Sequence, residues 1–100
     1  MKLGILVNSD RHPEHAAGIA KAAVSKGHEV IIFIMDEGVR LLTDPGFSSL
    51  CGLKGVQMGF CKHSTKIAGV ATECVPEGIS EGSQLYNVMM HHHADKVIVL

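Results

Sequence analysis

Short apolar runs alternate with segments of helical periodicity along this chain of 100 residues. The runs at 3–7 (LGILV), 29–35 (EVIIFIM) and 55–60 (GVQMGF) are nearly continuous in apolar residues, which is typical of strands buried on both faces of a parallel sheet. The segment between the first two has apolar residues at helical spacing, with Pro13 near its start and Gly27 at its end. The alternation therefore predicts β/α units arranged around a parallel sheet.

Shorter elements of both kinds continue this pattern along the rest of the chain. Asp36 follows the second strand and is expected to cap a short helix at 38–44, before a turn and a helical piece at 44–52. The remaining predicted elements are a helix at 62–74 weakened by Gly69, a strand at 78–80, a helix at 83–94 and a strand at 95–100. Five strands with intervening helices predict one domain, 1–100, folded as a three-layer α/β/α sandwich with a mainly parallel five-stranded sheet.

Composition and charge exclude several classes of function. The net charge is −1 with dispersed Lys and Arg, and there is no Trp and one Tyr, so no binding surface for nucleic acid is expected. The longest apolar run, VIIFIM at 30–35, is too short to span a membrane, and no signal-peptide pattern follows Met1, so a cytoplasmic protein is expected. The three cysteines, an odd number, are expected to be free thiols.

Polar residues and one cysteine follow the predicted strands. Cys61 comes directly after the third strand, in the stretch GFCKHST, and Asn8, Ser9 and Asp10 follow the first. In an open parallel sheet, ligands and catalytic groups collect beyond the carboxyl ends of the strands. We therefore expect Asn8, Ser9 and Asp10 to line a pocket at the same edge of the sheet as Cys61.

The position of Cys61 between a strand and a helix favours a reactive thiolate. Free backbone N–H groups at a helix N-terminus lower the pKa of a nearby thiol, and Lys62 and Lys66 add positive charge. His63, two residues on, does not face the sulfur from a helix, whereas Ser64 is placed to donate a hydrogen bond. The sequence thus predicts a partly exposed nucleophile supported by Ser64, with His63 and Lys62 beside it. The alternative is a small apolar residue that ends a strand.

The other cysteines and the run of three histidines have weaker signals. Cys51 has the pattern of a helix face turned to the core, and Cys74 lies in a loop where it is either a resolving thiol or a surface residue. His91, His92 and His93 stand at the end of a predicted helix, where the negative dipole end stabilises protonated imidazoles. Consecutive helical residues point about 100° apart, so these three do not converge on one metal ion. A metal site shared between subunits and a surface contact are the alternatives.

Several motifs that would imply a cofactor or another cysteine chemistry are absent. The chain has no C-x-x-C pair for zinc, no G-x-G-x-x-G and no Walker A sequence, so neither a metal nor an organic cofactor is expected. Ala68 and Lys66 occupy the positions at which tyrosine phosphatases and typical rhodaneses have an arginine after the nucleophilic cysteine.

The chain as a whole resembles the DsrE/DsrF-like family. The resemblance rests on KLGILVN at the start, the cysteine in GFCKHSTKIAGV, and the closing PEGISEGSQLYNVMMHHHADKVIVL. It implies a five-stranded α/β/α sandwich that assembles into oligomers, here a homo-oligomer such as a trimer or hexamer. In active members the cysteine after the third strand, matched here by Cys61, carries sulfur as a persulfide. Family sequences often have a small residue after this cysteine and an Arg-Gly pair further on, where this chain has Lys62 and Ala68-Gly69.

The resemblance implies a sulfur carrier or sulfurtransferase that exchanges sulfur with donor and acceptor proteins and needs no cofactor. Two alternatives remain at this point. One is a non-catalytic oligomeric module that serves binding or redox sensing. The other is a metal site between subunits, built from Cys61, His63 and the histidines at 91–93.

Overall fold

The computed structural model describes residues Met1–Leu100 and contains five strands in one sheet. The strands are β1 (Lys2–Val7), β2 (Glu29–Ile34), β3 (Val56–Cys61), β4 (Ile79–Gly82) and β5 (Lys96–Val99). The α-helices are α1 (Pro13–Ser25), α2 (Pro45–Ser48), α3 (Lys62–Ala68) and α4 (Gln84–His93), and 3-10 helices occupy Asp36–Thr43, Ser49–Gly52 and Thr72–Cys74. The predicted three-layer α/β/α fold is confirmed.

All neighbouring strands are parallel, in the order β4-β3-β2-β1-β5. The first four strands advance towards one edge of the sheet, and β5 then returns to the other side of β1. Because parallel crossovers are right-handed, the segments that precede β4 lie on one face of the sheet and α4 lies on the opposite face. The two faces are therefore covered very unequally.

The face under α1 holds the larger core. The odd-numbered residues of β1 and the even-numbered residues of β2 point to this side, where Ile5, Ile32 and Ile34 are fully buried. Ala16 and Ala20 of α1 are fully buried one helical turn apart, and their small side chains let the helix lie close to the strands. This cluster also contains Leu42, Phe47 and Leu50 from the helical segments between β2 and β3.

The face under α4 holds a second, smaller core. It consists of Phe33, Cys61 and Met90, with Tyr86 stacked on Phe33 at 5.3 Å between ring centroids. Tyr86 can lie flat on the sheet because Gly59 has no side chain, since a Cβ atom there would be 2.5 Å from the Tyr86 ring. None of the helices has the length and apolar character that a membrane span requires.

Two predicted local structures were wrong. Asp36 does not cap the short helix that follows β2; it is the first residue of that helix, which is a 3-10 helix, and its φ is 50°. The helix predicted at 62–74 ends at Ala68, because Gly69 adopts a left-handed conformation with φ 73°. The N–H group of Val70 then bonds to the carbonyl of Thr65, which closes the helix end.

Substituting alanine for Gly59 should destabilise the fold. The new Cβ atom would overlap the Tyr86 ring and force it off Phe33, with an expected loss of about 1–3 kcal/mol in the free energy of unfolding. The matched control is Gly18→Ala in α1, where nothing lies within 4 Å of a Cβ atom and the helix should gain up to about 1 kcal/mol. Urea unfolding measures both changes. Equal stability of Gly59→Ala and the unmodified protein would contradict the close packing of Tyr86.

Candidate functional site

Cys61 ends β3 and occupies the position directly before α3. Its backbone is extended, with φ −82° and ψ 114°, and it pairs in register with Gly82 of β4. The alternation of side chains along β3 turns the thiol towards the face covered by α4. The residue is consequently only 6% exposed, and the prediction of a partly exposed cysteine was wrong.

A cavity of about 640 Å³ opens beside the Cys61 thiol. Its walls come from the carboxyl ends of β2, β3 and β4 and from the first residues of α3 and α4. The lining residues are Met35, Asp36, Cys61, Lys62, His63, Ser64, Lys66, Gly82, Ser83 and Gln84. Cys61 thus lines a cavity at the carboxyl ends of the strands, although little of its surface is open to solvent.

Burial and hydrogen bonding act on the Cys61 thiol in opposite directions. Burial is the largest single influence and raises the pKa of Cys61. The hydrogen bonds act the other way: those from the side chain and backbone of Ser64 come first, followed by the Gln84 side chain and the His63 backbone. Their sum outweighs burial, so the pKa of Cys61 lies below its ordinary value and more of the thiol is ionised near neutral pH.

Ser64 links Cys61 to the end of the neighbouring strand. It lies in the first turn of α3, three residues after Cys61, and is 6% exposed. Its Oγ atom accepts a hydrogen bond from the backbone N–H of Asp36 at 2.9 Å. Since Asp36 follows β2, this bond joins the strand-end loop to the helix that begins at the cysteine.

Gln84 belongs to the site, although the sequence did not single it out. It is the first residue of α4, directly after Ser83, whose hydroxyl caps that helix by accepting from the Leu85 N–H at 3.2 Å. Its Nε2 atom also lies 3.6 Å from the Met35 sulfur. The one signal in the sequence was the position of Gln84 after the fourth strand, because parallel strands bring their carboxyl ends to one edge.

The charges of Lys62 and Lys66 are not among the causes that lower the pKa of Cys61. Both line the cavity, but hydrogen bonds rather than these cations lower the pKa of Cys61. Lys62 instead forms an ion pair with Glu81, at 3.8 Å between Nζ and Oε2, on an exposed surface. His63 contributes through its backbone and not through its ring.

Asn8, Ser9 and Asp10 do not line the cavity of Cys61. The sheet order places β2 between β1 and β3, so residues after β1 are displaced from the cysteine by one strand. Ser9 donates to the Leu100 carbonyl at 3.4 Å, and Asp10 pairs with Arg40 at 3.7 Å. Asn8 alone comes near, as it lines an adjacent cavity of about 470 Å³ that shares Asp36 and Ser64 with the first.

The remaining cysteines and histidines lie apart from this site. All three cysteines are free thiols; Cys51 is half-buried against the larger core and Cys74 is exposed in a 3-10 turn. The histidines at 91–93 form the exposed last turn of α4, as expected from the sequence. Within one chain, no group of three or more His, Cys, Asp or Glu side chains is arranged to hold a metal ion.

Comparisons with known proteins describe the same fold. A model of the DsrE/DsrF-like family matches residues 1–100. The ychN protein from E. coli has a similar structure, with a TM-score of 0.77 and 15% identity over 100% of both chains. A protein of unknown function from Methanobacterium thermoautotrophicum, MTH1491, has a TM-score of 0.68 and 16% identity over 99% of this chain and 98% of its own. No curated protein matches the sequence.

Removing the Ser64 hydroxyl should raise the pKa of Cys61. In Ser64→Ala the opposing effect of burial persists while the strongest side-chain donor is lost, so the thiolate fraction at neutral pH falls. The rate of Cys61 alkylation by iodoacetamide, followed against pH by peptide mass spectrometry, reports this pKa. Gln84→Ala should give a smaller rise, and His63→Ala should leave the profile unchanged because only its backbone participates. A rise in His63→Ala equal to that in Ser64→Ala would contradict this arrangement.

Proposed function

Because the chain belongs to the DsrE/DsrF-like family, as its sequence predicted, we propose that it carries sulfur as a persulfide on Cys61. The observation that supports this function is the Cys61 thiol itself. It lies beside a cavity at the carboxyl edge of the sheet, and hydrogen bonds lower its pKa in spite of burial. A buried cysteine that served only as core filling would have its pKa raised.

The proposed transfer consists of two thiol exchange steps. The Cys61 thiolate attacks the outer sulfur of a donor persulfide, R–S–SH; the S–S bond of the donor breaks, R–S⁻ leaves, and Cys61–S–SH forms. An acceptor thiolate then attacks the outer sulfur of Cys61–S–SH and releases the Cys61 thiolate. Electrons and sulfur atoms balance in each step, so neither a metal nor a redox cofactor is required.

The surroundings of Cys61 suit both forms of the carrier. The donors from Ser64 and Gln84 stabilise a negative charge on sulfur, whether it belongs to the thiolate or to the persulfide anion. The adjoining cavity of about 640 Å³ has room for the additional sulfur atom and for the end of a donor or acceptor side chain. Donor and acceptor proteins are the partners that this chemistry implies.

Incubation with glutathione persulfide should add 32 Da to Cys61, because the lowered pKa of its thiol increases the thiolate fraction and the residue lines a cavity. Intact-mass and peptide mass spectrometry locate the added sulfur. The variants Cys51→Ser and Cys74→Ser should retain the adduct, and Cys61→Ser should lose it. Subsequent addition of a small thiol should remove the added mass and return the free cysteine. Absence of the adduct in unmodified protein, or its retention in Cys61→Ser, would contradict the proposed function.

A second feature supports self-association through α4. This helix, Gln84–His93, contains no Asp, Glu, Lys or Arg, and Leu85, Val88 and Met89 form an exposed apolar stripe at helical spacing. It is also the one helix on its face of a five-stranded sheet. An exposed helix of a monomer ordinarily carries charged residues on its outer side.

The proposed occupant of this surface is a second copy of the chain. A groove of about 370 Å³ runs beside the apolar stripe, between α4 and the side chains of half-buried Ile31 and exposed Gln57. Neither the apolar stripe nor the groove contains Asp, Glu, Lys or Arg, so the same surface on a second copy is complementary to it. Gly82 and Ser83 line this groove as well as the cavity of Cys61, which places the interface next to the thiol.

Charged substitutions in the stripe should dissociate the oligomer. We expect L85E/V88E to shift the molar mass, measured by light scattering after gel filtration, from that of an oligomer to that of one chain, because burying two carboxylates without partners costs several kcal/mol. The matched control is Ile67→Glu, which changes a residue that is 76% exposed on α3. A monomeric unmodified protein, or a mass unaffected by L85E/V88E, would contradict this interface.

A further inference from the structure

Asp36 has a backbone conformation that few residues tolerate. It is the one non-glycine residue with positive φ, at 50°, and it stands directly between the end of β2 and the 3-10 helix. Among residues with a side chain, Asp and Asn adopt this left-handed region most readily, and β-branched residues are strongly disfavoured there. In this conformation the Asp36 N–H group donates a hydrogen bond to the Ser64 hydroxyl oxygen.

The hydroxyl of Ser64 has one defined hydrogen-bond partner. Its oxygen accepts from the Asp36 N–H at 2.9 Å, and its single hydrogen remains to be donated. Cys61, three residues before Ser64, lines the same cavity, and the Ser64 side chain is among the groups that lower the pKa of its thiol. With one lone pair of the oxygen engaged by the Asp36 N–H group, the hydroxyl has less freedom to rotate.

The carboxylate of Asp36 does not account for its place in the site. It lines the same cavity as Cys61, where a negative charge opposes ionisation of the thiol. Its side chain is exposed and accepts no hydrogen bond from a residue of the cavity. The presence of Asp at position 36 is explained by its tolerance for positive φ and by the hydrogen bond of its backbone. Its charge does not explain it.

We propose that Asp36 is a positioning residue for Cys61, whose backbone N–H fixes the Ser64 hydroxyl so that its hydrogen is directed at the sulfur. This inference concerns the same thiol as the proposed function, and that is its one dependence on it. It assigns the orientation of the Ser64 hydroxyl to the loop after β2, which takes no part in the proposed sulfur transfer.

The test separates the backbone of Asp36 from its side chain. Asn and Gly both tolerate positive φ, so Asp36→Asn and Asp36→Gly should keep the midpoint of the alkylation–pH profile of Cys61 at or below that of the unmodified protein. Val disfavours positive φ, so Asp36→Val should displace the N–H group, raise the midpoint and slow alkylation at pH 7 by about tenfold. In a Ser64→Ala background, Asp36→Val should have no further effect.

The other charged groups around Cys61 stay constant in this series. They are Lys62 with its partner Glu81, His63 and Lys66; α4 contributes no charged residue. Circular dichroism verifies that each variant is folded. An unchanged midpoint in folded Asp36→Val overturns the proposal, and so does a raised midpoint in Asp36→Asn, which would assign the effect to the carboxylate.

A second measurement covers the case in which Asp36→Val does not fold. In the unmodified protein, the backbone amide signal of Asp36 in a ¹⁵N–¹H NMR spectrum should shift with the titration of Cys61, and in Ser64→Ala this dependence should disappear. If the Asp36 amide signal of the unmodified protein does not shift during the titration of Cys61, the proposal is overturned. Neither measurement uses a persulfide, so a failure of sulfur transfer and a failure of this positioning role are distinguishable.

Discussion

The parallel pairing of β3 between β2 and β4 is the constraint on which the candidate site depends. It brings the ends of three strands to one edge, so that Asp36, Cys61 and Gln84, which are far apart along the chain, surround one cavity. It also gives the site its rigidity, because the strand ends are joined by backbone hydrogen bonds. The helices supply the hydrogen-bond donors, and the strand order determines which of them lie near the Cys61 sulfur.

The unequal covering of the two faces determines the character of Cys61. On the α1 face a thiol would lie in a closed core, whereas on the α4 face it shares a three-residue cluster with Phe33 and Met90 and borders an open cavity. Burial and ionisation are consequently balanced in one side chain. Hydrogen-bond donors from two helices lower the pKa of the thiol by more than burial raises it.

The fold could be predicted from the sequence more completely than the site. Apolar runs and helical spacing are local signals, and they predicted five strands and the layers. The strand order is not local, and without it Asn8, Ser9 and Asp10 could not be separated from the cavity of Cys61. The left-handed backbone of Asp36 and the reach of Gln84 depend on contacts across the sheet, which spacing along the chain does not reveal.

The burial of Cys61 makes access to the sulfur as important as its ionisation. With 6% of the residue exposed, a reagent reaches the thiol only through the cavity between the first turns of α3 and α4. In the proposed relay, a partner would therefore have to bring its own sulfur into this cavity. The same walls would limit the size of the group that could reach a persulfide on Cys61, so access as well as charge would select among partners.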